Sequence, residues 1–65
     1  MTGFRLKELR IENSLTQQQV AKIMGITRSA YSNYENGLRM PEMETLKKLC
    51  VYFKVSSDYL LGLED

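Results

Sequence analysis

The chain has no histidine, one cysteine and one proline among its 65 residues. Lacking histidine, it lacks the commonest general base and the commonest metal ligand. With Cys50 the lone thiol, a zinc site would need unusual ligands. No nucleophile with an acid–base partner can be assembled from local signals, so neither an enzyme nor a cofactor is expected. One cysteine also excludes an internal disulfide, and with it a stapled secreted mini-protein. Cys50 falls in an apolar stripe and reads as a small core residue. No apolar run approaches the length of a membrane span. The N-terminus lacks the apolar segment of a signal peptide. The chain is therefore expected to be cytoplasmic, with no membrane partner and no small-molecule ligand.

What is present is globular: 43% of residues are hydrophobic and 26% charged. The length predicts one domain over residues 1–65, with no room for a ligand-sensing domain. A single core of this size supplies only about 3–5 kcal/mol of stability. The net charge of +1 hides an asymmetry. Residues 1–54 carry all nine Lys and Arg against five acids; residues 55–65 carry three acids and no base. A mildly basic body fits a polyanion partner without demanding one.

No segment alternates like a strand, and the spacings predict five short helices. The first covers about 3–13, with Leu6 and Leu9 on one face. The second begins at Thr16, whose run to Gln19 reads as a capping box. Val20, Ala21 and Met24 give it an apolar face, and Gly25 ends it in a left-handed conformation. The third is capped by Thr27 and stops at Asn36-Gly37. Pro41 suits the first turn of the fourth, which extends to about Lys54 with Met43, Leu46, Leu49, Cys50 and Phe53 as its apolar stripe. The fifth starts near Ser56 and ends by Gly62. Phe4, Ile11, Tyr59 and Leu63 are left as apolar side chains for partial burial or a subunit contact.

Residues 17–36 are the informative stretch. Two helices joined by so short a turn must cross steeply, and Gly25 supplies the positive φ the turn requires. Ala21 sits where the second helix approaches the first. Val20, Met24, Ile26, Tyr31 and Tyr34 are spaced to fill the wedge between them, which is the pattern of a helix-turn-helix. On the third helix, Arg28, Ser29, Ser32, Asn33 and Asn36 fall opposite the core. That face has no acid and no apolar residue, and every side chain on it can hydrogen-bond base edges or phosphates.

The chain resembles the helix-turn-helix family of the phage lambda repressor and Cro type. The resemblance is carried by Leu9-Arg10, Leu15-Thr16-Gln17, Val20-Ala21, Met24-Gly25-Ile26-Thr27, Tyr34-Glu35-Asn36-Gly37, Pro41 with Leu46, and the run from Val55 to Gly62. It implies a compact all-α, five-helix fold with the third helix in the major groove of double-stranded DNA. Carried over by position, it implies base contacts from Arg28, Ser29, Ser32 and Asn33. It implies phosphate contacts from Gln17, Asn36, Arg39 and the Met40 backbone, and a structural ion pair between Arg10 and Glu35. Two positions depart from the family pattern: Ile23 is apolar where relatives are usually polar, and the loop 38–40 has one base where relatives often have two or three. The function implied is a transcriptional regulator, a repressor, binding a palindromic operator as a homodimer. The alternative is an antitoxin or adaptor-type interaction module on the same fold, which would carry an apolar face on the third helix.

Overall fold

The computed structural model describes residues 5–63, and every regular element over that span is helical. The elements are α1 (Leu6–Glu12), α2 (Gln17–Met24), α3 (Arg28–Glu35), α4 (Met43–Phe53) and α5 (Ser57–Leu60).

One closing device recurs at all five helix ends. Ser14, Gly25, Gly37, Lys54 and Gly62 each adopt a left-handed backbone, with φ between 58° and 78°. The next amide then folds back over the last turn. Leu15 donates to the Arg10 carbonyl, Ile26 to Ala21, Leu38 to Asn33, Val55 to Cys50 and Leu63 to Asp58, at 2.8–3.0 Å. This is the Schellman closure, which satisfies carbonyls that a helix end leaves without partners.

After α1, α2 and α4 the device continues directly into the next helix. The residue following the apolar one is Thr16, Thr27 or Ser56, and its hydroxyl accepts the amide three residues on. Thr16 completes a capping box, its own amide donating to Gln19 Oε1 at 2.8 Å. Leu15, Ile26 and Val55 pack on the core, and the fourth residue of each new helix, Val20, Tyr31 or Leu60, is fully buried. Three successive residues, one left-handed, one apolar and one bearing a hydroxyl, thus end one helix, anchor the chain and start the next.

The core is formed by Leu6 and Leu9 of α1, Val20, Ala21 and Met24 of α2, Tyr31 and Tyr34 of α3, Leu49 and Phe53 of α4, and Leu60 of α5. Arg5 joins the two ends of the described chain. Its amide donates to the Leu60 carbonyl at 3.0 Å, and its guanidinium lies 4.4 Å from the centre of the Tyr59 ring.

Three expectations need correction. Arg5 is the N-cap of α1, so the helix begins at Leu6; residue 3, the expected start, and Phe4 lie outside the described residues. Pro41 is not in the first turn of α4. It is buried one residue before the extended N-cap Glu42, where it serves packing rather than helix initiation. Met43 does not join the apolar stripe of α4 and is 67% exposed. It sits at the helix's first residue and at the edge of the stripe, beyond the end of the core that Leu49 and Phe53 enter.

Candidate nucleic-acid interface

The turn between α2 and α3 is set by Gly25, at φ 75°. A Cβ built there would meet no atom within 4 Å, so the glycine is required by backbone conformation and not by space. Ala21, at zero exposure, marks the close approach of α2 and α3. Thr27 caps α3 through the Ala30 amide at 3.1 Å. With Tyr31 and Tyr34 turned into the core, the opposite side of α3 faces outward.

That outward side is graded along its length. Arg28 and Ser29, at the N-terminal end, are exposed; Ser32 and Asn33 are half-buried. Asn36 is exposed, and its Nδ2 lies 3.4 Å from Ser32 Oγ. Arg28 makes no ion pair or side-chain hydrogen bond among the described residues, so its fork of donors is open.

The other end of α3 holds a buried charge network. Arg10 Nε donates to Glu35 Oε2 at 2.6 Å, and Arg10 Nη2 to Glu35 Oε1 at 3.2 Å. The third guanidinium nitrogen, Nη1, donates to the Leu15 carbonyl at 3.0 Å. The side chains are only 13% and 2% exposed. Burial alone would raise the Glu35 pKa, but the hydrogen bonds from Arg10, reinforced by Tyr31 and Gln17, hold it below the usual carboxylate value. Tyr31's hydroxyl lies beside the same carboxylate without full hydrogen-bond geometry. Burial and the negative charge of Glu35 keep that phenol protonated, well above its usual range.

Gln17, the first residue of α2, joins the network: its Nε2 donates to Glu35 Oε1 at 3.0 Å. This contact was not legible from sequence. It places the N-terminus of α2 against the C-terminus of α3, where the loop carrying Asn36, Arg39 and Met40 begins. The two groups of residues expected at phosphates therefore lie at one end of the α3 face. Arg39 and Met40 are both exposed. Glu35, the acid at the end of α3, is neutralised by Arg10.

Sequence comparison agrees with this geometry. A model of the helix-turn-helix family matches residues 6–60. The chain belongs to the helix-turn-helix family of the lambda repressor and Cro type. It is 44% identical over 61 residues to the SPbeta prophage-derived HTH-type transcriptional regulator YonR of Bacillus subtilis (strain 168), covering 94% of this chain and 56% of YonR. It is 43% identical over 63 residues to the HTH-type transcriptional regulator ImmR of the same organism, covering 97% of this chain and 50% of ImmR. It is 34% identical over 55 residues to the cryptic phage CTXphi transcriptional repressor RstR of Vibrio cholerae, covering 85% and 50%. The chain thus spans about half the length of the curated relatives it matches. In this helix-turn-helix chain, no described helix is long and apolar enough to cross a membrane. Likewise, no cluster of metal-ligating side chains occurs among the described residues.

Proposed function

We propose that this chain is a sequence-specific, cytoplasmic DNA-binding transcriptional regulator, in which residues 1–65 act as one domain and α3 enters the major groove. The observation that carries the reading is the outward side of α3: an open Arg28 at the groove-entering end, followed by Ser29, Ser32 and Asn33, with no acid or apolar side chain among them. Arginine's planar fork matches guanine O6 and N7 together, and asparagine matches adenine. Ser29 and Ser32 are short and act through water or a thymine methyl. Gln17, Asn36, Arg39 and the Met40 backbone contact phosphate, which positions the module without reading sequence.

One helix-turn-helix reads only a few base pairs, so a homodimer on a palindromic operator completes the site. Repression is the direction proposed, as in RstR, although the similar BcrR of Enterococcus faecalis is a transcriptional activator. An interaction module would expose apolar side chains on α3, which this chain does not.

The test is selection from random duplex DNA, followed by titration of variants against the selected and a scrambled duplex at several salt concentrations. Arg28→Ala should lose about 1–3 kcal/mol on the selected site and relax preference at one position per half-site. Arg39→Ala should weaken both duplexes alike and lower the salt slope by about one unit. Equal losses on both duplexes for Arg28→Ala would make Arg28 a phosphate contact and refute this assignment of the reading face.

A further inference from the structure

An uncovered apolar band crosses α4, away from the α3 face. It consists of two shallow depressions of about 390 and 590 Å³. The first lies between α2 and α4, with Ile23, Lys48 and Tyr52 in its walls. The second lies between α4 and α5, bordered by Met43, Cys50 and Leu61. Lys47 and Val51 line both, so the two form one groove over the outer side of α4. No α3 residue lines either part. Val51 is 78% exposed, and Met43, Ile23 and Tyr52 are exposed with it. Single exposed apolar residues are ordinary, but a contiguous apolar patch with a polar rim marks a binding surface.

The rim decides what fits. Among the described residues, the only charged ones lining the groove are Lys47 and Lys48, and no carboxylate lines it. Lys47 makes no ion pair among the described residues. Lys48 reaches Glu44 only at 3.9 Å, an exposed helical pair of little strength. A second copy of this chain is a poor occupant. A second copy brings the same two lysines and no carboxylate among the described lining residues, so a two-fold contact through the groove would gather four like charges in one interface, and like charges facing across an interface oppose association. An apolar helix flanked by carboxylates satisfies floor and rim together.

We propose that this groove is the docking site for an acidic amphipathic helix of a partner protein, and that it can be filled while α3 remains free. The proposal does not depend on the DNA-reading role. The probe is a designed helical peptide of about four turns, with leucines at i, i+3, i+4 and i+7 and glutamates on both flanks. A twin carries lysine in place of every glutamate. Each is titrated into the isotope-labelled 65-residue chain and followed by amide NMR.

The acidic peptide should shift Ile23, Met43, Lys47, Val51 and Tyr52, leave residues 28–33 unmoved, and bind more weakly as salt rises. Val51→Asp, and separately the Lys47→Glu/Lys48→Glu pair, should each weaken it about tenfold. Both change exposed side chains, so helical circular dichroism should be retained. Val51→Asp should also leave the affinity for a selected duplex intact. Absence of shifts at millimolar peptide, equal binding of the lysine twin, or shifts centred on α3 would each overturn the proposal. So would peptide-free self-association abolished by Val51→Asp, which would assign the groove to a second copy. Loss of all DNA binding with the peptide shifts retained would sink only the DNA-reading role.

Discussion

Glu35 is the residue on which most depends. It is almost completely buried, yet it holds a full charge through Arg10 and Gln17. Removing one partner of such a pair costs about 3–5 kcal/mol, because the other charge is left buried and alone. That equals the whole expected stability of a domain this size, about 3–5 kcal/mol. Glu35→Ala should therefore be largely unfolded at room temperature by circular dichroism. Arg10→Met combined with Glu35→Leu should recover most of the loss, since apolar replacement of both partners is often neutral. Its recovery would show that the pair specifies geometry more than it stabilises. The same carboxyl makes stability pH-dependent. Its pKa is lowered on folding, so its contribution is complete above the unfolded value of about 4.3 and is lost as pH falls through the folded value. Urea midpoints of the wild type should fall from about pH 4.3 downward. A folded variant such as Arg10→Met/Glu35→Leu should lack that component, and an unchanged acid slope in it would assign the dependence to other carboxylates.

At the scale of the elements, the linkers carry the fold. Each left-handed residue is a place where a side chain is strained by about 1–2 kcal/mol, partly offset by the extra entropy that glycine loses, about 0.5–1 kcal/mol. Ser14 bears that strain at the end of α1 and Gly25 avoids it at the end of α2. Ser14→Gly should stabilise by about 0.5–1 kcal/mol, and Gly25→Ala should destabilise by a similar amount, because no atom blocks the added methyl. Denaturant midpoints at constant slope are the measurement. A loss above about 3 kcal/mol for Gly25→Ala would mean that α2 and α3 had separated, since single mutations reach that size by disrupting packing. Thr27→Ala should cost about 1 kcal/mol through the lost cap on α3.

For the whole molecule, the proposed homodimer requires a contact surface. Of the apolar side chains considered for a subunit contact, Tyr59 is half-buried beneath Arg5, and Phe4 lies outside the described residues. Ile11 and Leu63 remain well exposed, at 57% and 69%. Weak self-association through the end of α5 is expected, placing recognition helices about 34 Å apart on DNA. Sedimentation from micromolar to millimolar concentration should show it, and Leu63→Asp should abolish it. A monomer at every concentration that also binds a single half-site with full affinity would refute the dimer.

The sequence by itself determined where the helices end, because those signals are local. A left-handed residue, an apolar anchor and a hydroxyl cap act through hydrogen bonds spanning six residues or fewer. The wedge residues Val20, Met24, Ile26, Tyr31 and Tyr34 were legible for a related reason, their spacing along two adjoining helices: four are buried and Ile26 is partly buried against the same core. The acid-free side of α3 followed from the same periodicity. Its gradient from exposed Arg28 to half-buried Asn33 did not, since that depends on how steeply α3 crosses its neighbours. Only the tertiary structure joined Gln17 to Glu35 across 18 residues, stacked Arg5 over Tyr59, and buried Pro41 ahead of its helix. It alone left Met43 outside the stripe and opened the groove over α4. Each of these is a meeting of surfaces distant in sequence, set by the packing of whole helices rather than by any local signal.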